Sequence, residues 1–163
     1  MSAKIRLQQA KDKAAIDGLM AASFGDGRFQ RSVRHLRPGS AITELCFVIE
    51  QDDIVIGSLR YWPVMIAGHT CLLLGPLAID PVCKGQGFGK QLVSHSLAIA
   101  EKLSYPLVLV SGEPDYYPRF GFVPARSDEF LWPGFVEAER LQIKWLAADK
   151  ATFPKGIKAI LPI

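Results

Sequence analysis

Three glycines within five positions, Gly85, Gly87 and Gly89, precede a stretch with helical apolar spacing, and Lys84 and Lys90 lie on either side of them. Glycines before a helix free successive backbone N–H groups to converge on one point at the positive end of the helix dipole. The two lysines would add charge at that point. The arrangement is typical of a phosphate or pyrophosphate site, and a tight turn without a ligand is the alternative.

The spacing does not fit the two commoner nucleotide loops. A dinucleotide-binding fingerprint requires G-x-G-x-x-G, whereas here the third glycine comes one residue early, and the next predicted strand is not followed by the acidic residue that binds the ribose. A Walker A loop requires glycine where Lys84 stands and serine or threonine where Gln91 stands.

The glycines lie between two predicted strands. The run "HTCLLLGPLAID" is interrupted by Gly75-Pro76, which indicates a bulge because proline cannot donate to a sheet ladder. A helix is predicted from about Lys90 to Ser104, and "PLVLVSG" after it has the continuous apolar pattern of a parallel strand buried on both faces. This strand–helix–strand unit indicates a mixed α/β fold.

The rest of the chain adds to the same sheet. An edge strand is predicted around Ile5 and Leu7, an amphipathic helix from Lys11 with a stop at Gly25, and a hairpin over 45–66 with its turn at 51–53. The segment Arg140 to Ala147 alternates like a half-exposed strand, and residues 149–163 show no clear period. We expect residues 1–163 to form a single domain.

Composition narrows the class of protein. The net charge of +3 is too mild for a nucleic-acid binder, and the longest apolar run, Cys71 to Ile79, is too short to cross a membrane. The charged amino end is unlike a secretory signal. The three cysteines, Cys46, Cys71 and Cys83, have neither disulfide nor metal-site spacing, so we expect no metal and a cytoplasmic location.

Two segments carry a family resemblance. The segment "LAIDPVCKGQGFGKQLV" resembles the acetyl-coenzyme A signature of the GNAT superfamily of N-acetyltransferases, except that Lys84 stands where glutamine or arginine is usual. The segment "DYYPRFGFVPA" is similar to the Tyr-x-x-x-Gly-Phe motif after the next strand, with Tyr117 and Gly121-Phe122 at the motif positions. The combination is closest to the YhbS-like branch of that superfamily.

The resemblance implies a GNAT fold. This is a mostly antiparallel mixed sheet of about six or seven strands with helices on both faces, in which the fourth and fifth strands are parallel and splay apart. Gly75-Pro76 would be the bulge of the fourth strand. The residues implied to bind acetyl-coenzyme A are Leu77, Ala78, Ile79, Lys84, Gly85, Gln86, Gly87, Phe88, Gly89, Lys90 and Tyr117.

The implied reaction is direct attack of an amine on the thioester in a ternary complex. The backbone N–H of Leu77 or Ala78 would polarise the thioester carbonyl, and Tyr117 would be the general acid that protonates the thiolate. Tyr116 is the alternative phenol. Many relatives carry a glutamate on the fourth strand, which this sequence lacks, so the candidates for a general base are Glu113, Glu44 and His69.

The implied acceptor is a small-molecule amine or a protein amine, and we expect no nucleic acid or membrane partner. Arg28, Arg31, Arg34 and Arg37 could face an anionic acceptor, although a solvated basic surface is the plainer interpretation. The segment "FLWPGF" (130–135) is the candidate acceptor-side loop. Members of this family are often homodimers. A catalytically silent acyl-coenzyme A sensor or interaction domain with the same fold is the alternative function.

Overall fold

The computed structural model describes residues 2–25, 36–37, 39–134, 136–146 and 153–163. Over these ranges the chain forms the helices α1 (Lys13–Phe24) and α2 (Phe88–Lys102) and the strands β1 (Lys4–Leu7), β2 (Phe47–Gln51), β3 (Ile54–Ile66), β4 (His69–Ile79), β5 (Leu107–Ser111), β6 (Val123–Pro124), β7 (Phe130–Leu131), β8 (Leu141–Trp145) and β9 (Lys158–Pro162). The edge strand and the β2–β3 hairpin are where the sequence predicts them, and the ends of both helices lie within two residues of their predicted positions.

The strands form one mixed sheet in the order β1-β2-β3-β4-β5-β8-β6. Neighbours along this path are antiparallel except β4 and β5, which are parallel. Outside the path, β9 pairs with the far end of β3 and with β7. The mixed α/β class and the parallel fourth and fifth strands are therefore confirmed.

Alternating side chains of the central strands enter two separate apolar clusters. Tyr61, Leu72 and Val108 pack with α2 on one face of the sheet. Leu73 and Leu109 pack on the opposite face. Because β4 and β5 are covered on both faces, their sequences read as continuous apolar runs, as the pattern of "PLVLVSG" predicts.

Helix α2 begins at Phe88, two residues earlier than predicted, because Gly87 caps it in the left-handed region at φ +85. Its buried face contains Leu92, Val93, Leu97 and Ala100. Leu103 follows the last residue of the helix and is 46% exposed, so it does not belong to the buried face.

Two strands differ from the sequence-based expectation. Leu141, Gln142 and Ile143 are all buried rather than alternating, because β8 lies between β5 and β6. The Gln142 amide satisfies its burial by donating to the Glu113 backbone carbonyl at 3.3 Å. Strand β9 lies in the tail that shows no period, and its register comes from pairing with β3 rather than from its own pattern.

An ion-pair cluster fixes β1 against the start of α1. The buried Asp12 carboxylate accepts hydrogen bonds from Arg6 Nη1 at 2.8 Å, from Arg6 Nη2 at 2.9 Å and from the Gln9 backbone N–H at 2.7 Å. Arg6 Nε also donates to Glu50 of β2 at 3.2 Å. The Arg6 guanidinium lowers the pKa of Asp12 from 3.8 to about 2.

This cluster makes the free energy of unfolding depend on pH in the acid range. The folded-state pKa of Asp12 is depressed, so its contribution is complete above pH 4 and is lost as pH falls towards 2. We predict that Asp12→Asn lowers the free energy of unfolding at pH 7 by roughly 2 kcal/mol. The free energy of unfolding of the variant should also fall less steeply with decreasing pH below pH 4.

Urea unfolding at several pH values measures this effect. Asp17→Asn is the matched control, because the Lys13–Asp17 pair is largely exposed, and we expect it to change stability by less than about 0.5 kcal/mol. Equal stability of Asp12→Asn and the wild type at pH 7 would contradict the prediction.

Candidate active site

The site begins where β4 leaves β5. These strands pair only at Leu72–Val108 and Leu73–Leu109. Leu74 pairs with Tyr61 and Leu77 pairs with Leu59, so Gly75 and Pro76 together stand opposite the single residue Arg60 of β3. The predicted bulge is confirmed, and beyond it the backbone of residues 77–79 borders a cleft instead of β5.

The glycine loop forms the second wall of this cleft. Gly85 and Gly87 have φ of +82 and +85, which only glycine adopts without strain. At Gly89 the requirement is a close approach, since a Cβ there would lie 2.8 Å from the Tyr116 hydroxyl. The first hydrogen bond of α2 runs from the Gln91 N–H to the Gly87 carbonyl, so the preceding amides are left to other acceptors.

The cleft has a volume of about 650 Å³ and passes between β4 and β5. Its lining contains one carboxylate, Glu113, and five cations: Arg37, Lys84, Lys90, Arg119 and Arg140. The end of β5 and the last residues of α1, Ser23 and Phe24, complete its walls. This balance favours an anionic ligand.

Most residues predicted to bind the cofactor line this cleft: Leu77, Ala78, Ile79, Lys84, Gly85, Gly87, Phe88, Gly89, Lys90 and Tyr117. Gln86 is exposed and is not among the lining residues, so its role stays a prediction without support from the geometry. Lys84 and Lys90 are exposed at the start of α2, where their charge adds to that of the helix N-terminus.

Both candidate phenols line the cleft. Tyr117 is 7% exposed, packs against Gly112 and makes an edge-on contact with Phe122 at 5.6 Å between ring centroids. Tyr116 lies beside Gly89, and Arg119 stacks over its ring at 4.6 Å. Burial raises the pKa of Tyr116, with the positive charge of Arg119 opposing, so this phenol is protonated at neutral pH.

The three candidate bases are placed very differently. Glu113 lines the cleft but is 74% exposed and accepts from Arg140 Nη1 at 3.1 Å. Glu44 lies in an exposed turn, and His69 stacks on Phe153 at the opposite end of β4, so neither is among the lining residues. The structure therefore brings only Glu113 to the cleft.

The predicted acceptor-side loop is elsewhere. Phe130 and Trp132 are buried in the cluster on the face opposite α2, which is why that segment is rich in aromatic residues. The hypothesis that 130–135 forms the acceptor loop is wrong for these two side chains, and Phe135 lies outside the described residues. Arg28, Arg31 and Arg34 also lie outside them.

Several cleft residues were missed by sequence reasoning. Arg119 and Arg140 follow β5 and precede β8, and only the fold brings them to the site. Cys83 lines the cleft because the turn that holds it leads from β4 into the glycine loop, and Asp80 stabilises this turn by accepting from the Val82 N–H at 3.0 Å. Arg37 had only the basic character of its segment as a signal.

Two negative findings concern the described part of the chain. There, no group of three metal-ligating His, Cys, Asp or Glu side chains comes together. No helix among these residues has both the length and the apolar character needed to cross a lipid bilayer.

Known proteins share the sequence pattern and the fold. A family model described as "Acetyltransferase (GNAT) domain" matches residues 43–124. The chain is 32% identical over 157 residues to the Escherichia coli protein named N-acetyltransferase YhbS, covering 94% of this chain and 93% of YhbS.

Solved structures agree with this match. The structure of Escherichia coli YhbS in complex with coenzyme A superposes with a TM-score of 0.78, covering 96% of this chain and 88% of that one at 32% identity. A GNAT family acetyltransferase from Brucella melitensis, in complex with acetyl-coenzyme A, gives a TM-score of 0.72 at 26% identity, covering 97% and 95% of the two chains.

The cysteines provide a test of the cleft geometry. Cys83 is half-buried at the cleft, whereas Cys46 and Cys71 are 6% and 0% exposed. Burial also raises the pKa of Cys71 to about 12. We predict that a chromogenic aromatic disulfide modifies Cys83 rapidly in the native protein and reaches the other two thiols only after unfolding.

The measurement is the rate of colour development with and without denaturant. Cys83→Ser is the control and should remove the rapid phase while leaving the denatured total lower by one thiol. Rapid modification of Cys71 in the native protein would contradict the described packing.

Proposed function

The chain belongs to the GNAT acetyltransferase family, and we propose that it is an acetyl-coenzyme A-dependent N-acetyltransferase that transfers the acetyl group to a primary amine by direct attack in a ternary complex. The observation that carries this proposal is the cleft in which the opened edge of β4 meets the glycine-led N-terminus of α2. Acetyl-coenzyme A requires both features, because its extended thioester arm needs the open strand edge and its pyrophosphate needs the helix N-terminus.

The residues of the cleft fit this cofactor. The N–H groups at the start of α2, with Lys84 and Lys90, are suited to a pyrophosphate. The positive φ at Gly85 and Gly87 requires glycine, and because glycine has no side chain a phosphate could approach the loop backbone closely. The backbone of residues 77–79, free of β5, is suited to a pantetheine arm lying along it like an added strand.

Acetyl-coenzyme A supplies an acetyl group activated as a thioester, with coenzyme A as the leaving group. The backbone N–H of Leu77 or Ala78 would donate to the thioester carbonyl oxygen as negative charge develops on it, a contribution worth about 3–4 kcal/mol in comparable sites. Tyr117 would donate its phenolic proton to the departing sulfur as the C–S bond breaks and the C–N bond forms.

The incoming amine must be neutral, and the cleft provides for this in two ways. The lining cations that are offset neither by the pyrophosphate nor by Glu113 disfavour the ammonium form of an amine held beside them. Glu113, the only carboxylate among the lining residues described, could accept the proton through water, although its ion pair with Arg140 weakens it as a base. The proton that leaves the nitrogen thus balances the one that Tyr117 supplies to the sulfur, after exchange with solvent.

The partners implied are a small-molecule or protein amine. The free thiols of Cys46, Cys71 and Cys83 agree with action in a reducing, cytoplasmic compartment. A homodimer and a single domain over residues 1–163 remain part of the proposal and rest on the family resemblance and the continuous β1–β6 path of the sheet.

A catalytically silent acyl-coenzyme A sensor is the second candidate, favoured by the absence of a carboxylate from β4 and by the pairing of Glu113 with Arg140. Release of free thiol from acetyl-coenzyme A in the presence of a broad amine panel separates the two functions. Amine-dependent release supports the transferase. Binding of acetyl-coenzyme A without release from any amine supports the sensor.

The two adjacent tyrosines allow a matched test of the acid. We predict that Tyr117→Phe lowers kcat by about 10- to 1,000-fold, since general acid catalysis contributes on this scale, and leaves the Kd of acetyl-coenzyme A almost unchanged. Tyr116→Phe removes the same hydroxyl one residue away and should change kcat by less than about threefold.

Steady-state thiol release and calorimetry measure the two constants, and a thermal melt shows whether each variant is folded. Full activity of Tyr117→Phe would remove it as the acid. A large loss confined to Tyr116→Phe would transfer the role to Tyr116.

A further inference from the structure

The cleft has a second cationic region apart from the glycine loop. The Arg37 guanidinium lies beside the β4 bulge, with Nη2 only 3.0 Å from the place where a Cβ on Gly75 would be. Its Cζ lies 5.9 Å from the centre of the Trp62 ring, and the Trp62 indole N–H donates to the Gly75 carbonyl at 2.9 Å. Trp62 and Gly75 thus hold the Arg37 guanidinium at the bulge, a position that we call the Arg37 site.

The Arg37 site is on the face of the sheet opposite α2. The side chain of Tyr61 points to α2, where its hydroxyl hydrogen-bonds to Ser96 at 2.7 Å. Successive side chains of a strand point to opposite faces, so the neighbouring Trp62 packs against the cluster on the other face. Arg37 over Trp62 is therefore separated from Lys84 and Lys90 by the backbone of β4.

We propose that the acceptor amine carries a carboxylate and that Arg37 binds this carboxylate on the face opposite α2. The inference rests on the proposed acetyl transfer and names the substrate class of the same cleft. Arg37 is then a specificity-determining residue that orients the amine towards the thioester from the side opposite the pyrophosphate.

The chemistry favours a carboxylate over a phosphate. A guanidinium presents a planar pair of N–H donors that matches the two oxygens of a carboxylate. Of the other two arginines that line the cleft, Arg140 already donates to Glu113 at 3.1 Å, and Arg119 stacks over the Tyr116 ring at 4.6 Å. A phosphate dianion needs more donors than this, and the helix N-terminus that supplies them lies at the cofactor end of the cleft.

The spacing favours a short acceptor. Gly75, beside the guanidinium, and Leu77, whose backbone would face the thioester, are two residues apart, which is at most about 7 Å of extended backbone. A hydrogen bond from the guanidinium takes up about 3 Å of this distance, and the few bonds between the nitrogen and the carboxylate of an amino acid cover the remainder. The Ser23 hydroxyl lines the same cleft and is buried without a hydrogen-bond partner among the described residues, so it is available to a polar acceptor group.

Matched pairs of acceptors test the inference. Glycine, phenylalanine and γ-aminobutyrate are compared with glycinamide, phenylalaninamide and γ-aminobutyramide, and phosphoethanolamine provides the phosphate arm. We expect kcat/KM to be about 10- to 100-fold higher for at least one acid than for its amide, which is the scale of a hydrogen bond to a charged group.

Substitutions of Arg37 test whether this residue causes the preference for acids over amides. Arg37→Gln should lower kcat/KM for the acid to that for its amide, which removes the preference, and leave the Kd of acetyl-coenzyme A unchanged. Arg37→Lys should restore only part of it, because a lysine keeps the charge and loses the paired donors. Arg126→Gln is the matched control, since this arginine pairs with Asp128 on the exposed surface.

Each outcome decides the inference. Equal rates for acids and amides, a preference for phosphoethanolamine, or an acid preference that survives in a folded Arg37→Gln would overturn it while leaving the transferase intact. Failure of every amine to react would overturn the transferase and the inference together.

Discussion

The site depends on one constraint in the sheet, the departure of β4 from β5 after two residue pairs. Up to that point the strands are tied to each other and buried on both faces. At Gly75 and Pro76 the register against β3 shifts by one residue, and β4 goes on with β3 as its partner. The opened edge borders the cleft, and α2, packed behind the same strands, brings its N-terminus to one end of it.

The two ends of the cleft differ in the cationic groups that line them. Lys84, Lys90 and the backbone N–H groups at the start of α2 are at the end suited to a phosphate. Arg37 provides a second cationic group on the other side of β4. Between them the chain offers neutral hydrogen-bond donors, namely backbone N–H groups and two phenols, rather than a strong base. A cleft of this kind can hold an anionic cofactor and an anionic acceptor at once.

The local features were predictable from the sequence, and the long-range ones were not. The Gly75-Pro76 break and the glycine loop follow from backbone rules and Tyr117 follows from the family resemblance, and the structure brings nearly all of these residues to one cleft. Glu44 and His69 were candidates by residue type alone, and the sheet carries both away from it. Arg37, Arg119 and Arg140 reach the cleft from elements that are distant in sequence, and β9 acquires its strand structure only from β3 and β7.

The most direct measurement is calorimetric titration of acetyl-coenzyme A into the protein. A pyrophosphate at the start of α2 predicts one cofactor per chain, with affinity about tenfold weaker in Lys84→Ala, the equivalent of ~1.4 kcal/mol. Lys102→Ala, which removes the same charge from the far end of α2, should leave the affinity unchanged. No binding at millimolar cofactor, or equal effects of the two substitutions, would contradict this assignment of the cleft.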